Sequence, residues 1–140
     1  MKTWIKATIV TIVCGVPTIP LGELLWPPVK MPEIPTSSQF ASLVVVGVIE
    51  SIAFGLGVAF LIFGWHVVKR ALVVNQTLAR WMYASIAWTL VSWWPHDRLH
   101  MHYGMRIQPL IGIEYGFHVT LIIASLIIAY GFLKILRASK

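Results

Sequence analysis

Charge is what this chain has least of. Asp, Glu, Lys and Arg make up 11% of its 140 residues and only five are acidic, whereas hydrophobic residues make up 58%. With a mean hydropathy of +0.80, the balance lies outside the range of soluble globular domains and predicts a membrane protein. Cysteine is nearly absent. The single Cys14 excludes an intrachain disulfide, sits in an apolar run as a small hydrophobe, and leaves no thiolate set for an iron–sulfur cluster. P-loop, dinucleotide-binding, nucleophile-elbow and zinc-protease motifs are missing too. The formal net charge of +6 comes without a basic patch interleaved with aromatics, so no nucleic-acid partner is expected.

What the chain does have is long apolar runs. Four are expected to cross the bilayer, over about residues 4–25, 40–68, 77–94 and 109–133, as a single transmembrane domain covering 1–140. The first run begins after Lys2 and Lys6. A cleaved signal peptide competes for it, but no small-x-small cleavage site follows, and Thr11-Ile12-Val13 before Cys14 makes a poor lipoprotein site. A retained helix, kinked or ended early by Pro17 and Pro20, is the reading preferred. Pro27 to Ser38 is too rich in proline to be helical and is expected to be an extended connector outside the bilayer.

Lys and Arg set the expected orientation. One side would carry Lys2, Lys6, Lys69, Arg70, Arg80, Lys134, Arg137 and Lys140, the other Lys30, Arg98 and Arg106, so the first side is cytoplasmic and both termini lie there. The expected location is a bacterial or archaeal inner or plasma membrane. Tryptophans at the run ends, among them Trp93 and Trp94, fit an interfacial aromatic belt. The fold class is therefore an all-α integral membrane protein, a four-helix transmembrane bundle.

Polar side chains concentrate between Trp93 and His118, which holds four of the five histidines. Pro95 and Gly104 bracket a short amphipathic helix, about 95–103, in the extracytoplasmic loop between spans three and four. There His96 and His100 are four residues apart and share a face, while His102 points elsewhere unless the helix unwinds. Asp97 is placed to orient an imidazole from behind, or to pair with Arg98 or Arg106. In the fourth span, Glu114 and His118 repeat the spacing of four, and an ionisable group inside a span rarely lacks a partner or a task. Glu50 in the second span lies at a similar depth to His118, about 13–15 Å by helical rise, so the two are expected to meet. Glycines at 57 and 64, seven and fourteen residues after Glu50, and the Gly112-x-x-x-Gly116 pair are expected to let helices approach near these groups. His66, beside Trp65 and Lys69-Arg70, reads as an interfacial anchor.

Imidazole with carboxylate is a ligand set for copper, iron or zinc. The main expectation is thus a transition-metal site built from His96, His100, His102, Glu114, His118 and Glu50, in a metal-dependent redox or oxygenase component or a subunit of one. Haem b with His118 as axial ligand is a lesser form, since His66 lies at the wrong depth to oppose it. Two other readings stay open: an accessory subunit of a larger membrane complex or a homo-oligomer, and a proton-relay or quinone site.

Overall fold

A computed structural model describes residues 1–27, 37–104 and 106–138. Most of the proline-rich connector, including Lys30, and Lys140 at the C-terminus lie outside the described residues. Those described are helical, with no strand among them. Three helical stretches are long and apolar enough to cross a membrane: Thr3–Leu25, Phe40–Phe63 and Gln108–Ala138.

The first stretch is two helices, α1 (Thr3–Gly15) and α2 (Thr18–Leu25). The break falls at Val16-Pro17, because a proline nitrogen cannot donate and its ring crowds the preceding turn. Pro20 sits in the first turn of α2, where the missing donor costs nothing. The second stretch is α3 (Ser37–Phe63), and here the expected run to Val68 is corrected. It breaks at Gly64, and α4 (Trp65–Ala71) carries Lys69 and Arg70 away in a separate short helix. The Phe60 ring packs so close to Gly64 that any β-carbon there would overlap it.

α5 (Gln76–Val91) starts at Asn75, whose side-chain oxygen accepts from Leu78 N at 2.9 Å. Its 16 residues rise about 24 Å, short of a hydrocarbon core of about 30 Å. At Ser92 the chain continues into α6 (Trp93–Tyr103), which stops at Gly104 with φ +57°. The last stretch holds α7 (Ile107–Ile113), a π-helical segment (Glu114–Val119) and α8 (Thr120–Ala138).

Packing follows chain order. α1 lies along α3, α3 along α5 and α5 along α8, and α1 and α8 share no substantial contact among the described residues. Among the described residues the helices thus form an open row. Lipid-exposed apolar side chains need no burial, so association rests on close fit instead. The tightest fit is α1 on α3. A β-carbon on Gly15 would stand 2.5 Å from Ser51 O, and one on Gly55 would overlap the Thr11 carbonyl oxygen. Beside it the buried Thr18 hydroxyl donates to Ser51 Oγ at 2.8 Å.

Gly57 receives Leu90 and Val91 of α5, as the spacing predicted for a close approach. Gly112 and Gly116 do not: among the described residues nothing lies within 4 Å of a β-carbon added at either, and that expectation is corrected. A cluster of buried apolar residues lies where α4 folds under α5, with Val68, Leu72, Leu78, Ala79 and Met82 packed by Phe60, Trp65 and Tyr83. At the other end of α5, Trp94 packs edge-on to Trp26 and Phe54, which seats α6 across α2 and α3.

Candidate functional site

α6 and the π-helical segment bring four polar side chains together. A π turn widens the helix by a residue and releases carbonyls from their regular partners. Here the Thr120 hydroxyl donates to the carbonyls of Gly116 (2.6 Å) and Phe117 (3.0 Å) and accepts from Trp88 Nε1 at 2.9 Å. Phe117 stacks on the Trp88 ring with centroids 5.8 Å apart and presents its own ring to His96. His96 is thereby buried, only 8% exposed, between Trp93 and Phe117.

From this anchored imidazole the polar contacts run outward. His96 Nε2 and His100 Nε2 are 3.0 Å apart, one donating and the other accepting, as their shared helical face predicts. His100 Nε2 then lies 3.8 Å from Glu114 Oε1. Glu114 Oε2 receives a hydrogen bond from His118 Nδ1, and the His118 ring returns to within 4.7 Å of the His96 centroid. Glu114 is 50% exposed and His118 41%, so the network leads from a buried imidazole to an open carboxylate. Burial holds the His96 pKa below its ordinary value, with His100 and His118 pushing the same way and Asp97 and Glu114 opposing them less strongly.

The remaining expected members lie elsewhere. His102 Nδ1 is 2.6 Å from the carbonyl of Pro27; since a carbonyl only accepts, Nδ1 carries the hydrogen and the ring ties α6 to the end of α2. Glu50 has Asp97 and Arg98 as its electrostatic neighbours and does not join His118. Asp97 pairs with no imidazole or guanidinium among the described residues. Arg98 lies against Gly22, and its Nε is buried without a hydrogen-bond partner among the described residues, as are Ser92 Oγ and Trp94 Nε1.

This arrangement corrects the metal-site expectation. Among the described residues no group of three or more His, Cys, Asp or Glu side chains is disposed to hold a metal ion. The reason is visible in the contacts. His96 and His100 turn their Nε2 atoms on each other, and His102 is held away from them at the Pro27 carbonyl. A metal needs three or more ligand atoms converging on one point, and the described side chains do not supply them.

Sequence spacing pointed to the His96/His100 and Glu114/His118 pairs. It missed Trp88, Phe117 and Thr120, which set the histidines in place. Their signal is weak, because aromatics and threonines near a polar run are ordinary in membrane helices. No family model matches the chain, and neither the curated proteins nor the solved structures contain a significant match.

Proposed function

We propose that the chain is a four-crossing membrane protein with both ends on the cytoplasmic side, and that the His96–His100–Glu114–His118 network is a proton-exchange site at its outer end. The crossing by α5 is supported by its packing between α3 and α8 and by its continuation into α6. One observation carries the proton reading: two hydrogen-bonded pairs, His96–His100 and Glu114–His118, meet at a 3.8 Å contact between His100 and Glu114, so that titratable groups lead from a half-exposed carboxylate to a buried imidazole. Imidazoles change charge near neutral pH. Glu114 exchanges protons with water, the one hydrogen shared by His100 Nε2 and His96 Nε2 responds to the charge on Glu114 3.8 Å away, and His96 is held neutral by burial.

The test is nuclear magnetic resonance of the His96 ring protons in the purified chain as a function of pH. Glu114→Gln and His100→Phe each change the pH dependence of those signals, as the loss of a coupled acid–base group requires. The same profile in wild type and both variants refutes the reading.

A second reading has its own observation. The open row leaves Gly112, Gly116 and 70%-exposed Tyr115 on an outward face of a membrane-crossing helix. Another membrane subunit or a second copy of the chain covers that face, small residues allowing close approach. Gly112→Leu with Gly116→Leu then reduces the assembled mass in mild detergent; an unchanged mass sinks this reading.

A further inference from the structure

A second feature lies at the opposite end of the row. Between α5 and α8 runs an open groove with a cavity volume of about 480 Å³, lined by Leu78, Trp81, Ile123, Leu126, Ile127 and Tyr130. Its walls are almost wholly apolar, and its size falls within the range of about 300–1,000 Å³ usual for small-molecule sites. Along α8, Ile123, Ile127 and Tyr130 are followed on the same face by Lys134 and Arg137, at steps of four, three, four and three residues. The groove therefore opens directly beneath two cations. Lys134 Nζ sits 5.5 Å from the Tyr130 ring centroid, over one wall of the groove, and both cationic residues are exposed. Neither is in an ion pair among the described residues.

From Ile123 to Lys134 the helix rises about 17 Å, comparable to the length of one leaflet's acyl layer, half of a core of about 30 Å. An apolar channel of leaflet depth with positive charge at its polar mouth matches an acyl chain joined to an anionic headgroup. We propose that this groove is a site for one anionic phospholipid, its chain along Ile123, Ile127 and Trp81 and its phosphate on Lys134 and Arg137. The complementarity separates it from another inter-helix hollow, between α1 and α3, whose lining, Thr11, Ile12, Gly15, Val48, Ser51 and Ile52 among it, includes no cation. The proposal stands independently of the proton reading, because the groove shares no residue with the histidine network.

Native mass spectrometry of the detergent-purified full chain tests it, after delipidation and addition of phosphatidylglycerol or phosphatidylcholine with identical chains. The expected result is one phosphatidylglycerol per chain, retained at least tenfold better than phosphatidylcholine. Lys134→Gln with Arg137→Gln removes that preference, and Ile127→Trp, which fills the groove, lowers retention of phosphatidylglycerol while leaving both cations in place. Both sites are exposed or groove-lining, and a far-ultraviolet circular dichroism spectrum of each variant verifies its helices. Should Ile127→Trp lose them, Leu126→Phe makes the same measurement with less added volume. Equal retention of the two lipids, an undiminished preference in the double variant, or a second copy of the chain in place of lipid overturns the proposal.

Discussion

Placing a methyl group at Gly55 tests the packing of the row most directly. A β-carbon there would overlap the Thr11 carbonyl oxygen and stand 2.9 Å from Gly15 N, where ordinary contact begins at 3.4 Å. On the nitrogen alone α1 must retreat by 3.4 − 2.9 = 0.5 Å, and by more to clear the oxygen. The obstacle is backbone, which has no rotamer to change. Overpacking of this kind costs about 1–3 kcal/mol, and a gap of 0.5–1 Å forfeits roughly a quarter to a half of each dispersion contact along the interface. Gly47 is the control, on the same helix with nothing within 4 Å of the added carbon. Alanine gains up to about 1 kcal/mol of helix propensity at both positions, so Gly55→Ala and Gly47→Ala should differ by the overpacking cost, about 1–3 kcal/mol. Thermal unfolding in detergent, followed by tryptophan fluorescence, reads this as a lower Tm for Gly55→Ala by several degrees. If the two variants melt together, α1 and α3 do not touch at Gly55 and the account of the row's tightest joint is wrong.

Other outcomes follow from single contacts. His96 has a folded-state pKa below 6.5, so between that lower value and 6.5 the unfolded chain binds more protons than the folded one. Stability is therefore full above pH 6.5 and falls as pH drops below it; the slope of Tm against pH should flatten in His96→Gln, and an unchanged slope refutes the lowered His96 pKa. Asn75→Ala removes the cap on Leu78 N and should destabilise by about 0.5–2 kcal/mol, against no change for Asn75→Asp. Met82→Ala, in the buried cluster and against Gly131, should cost about 2–5 kcal/mol in the same melting assay; a loss under 1 would mean the cluster collapses around the gap.

Hydropathy made the membrane class and the three longest crossings legible, since each is a run of apolar residues with few charges. The ends of those runs were harder to read. The break at Gly64 depends on where the Phe60 ring lies, and a glycine in an apolar run carries no mark of that. Glycine spacing misled in the same way. Gly112 and Gly116 have the stronger pattern and meet nothing among the described residues, whereas Gly15 and Gly55, far apart in the chain, make the closest approach. Spacing reports which residues share a face, and only the partner decides whether that face is used. At the site, helical spacing found both local pairs, because residues four apart meet whatever the tertiary structure. Depth counting failed for Glu50: two residues at one level in a row of helices need not be neighbours. His102 was placed with the other histidines by proximity in sequence, yet a carbonyl 75 residues away holds it.

The π-helical segment sets the phase of everything after it. One residue more than an α-helix needs is accommodated between Glu114 and Val119, and a residue turns a helix by about 100°. Removing a single residue there would leave the hydropathy profile of the last crossing almost unchanged. It would nonetheless swing α8 by more than a quarter turn about its axis, carrying Gly131 off Met82 and the Lys134 face away from α5 while His96 and His100 stayed where they are. For this helix, chain length within one short segment acts as an angular coordinate, coupling the two ends of the protein without any contact between them.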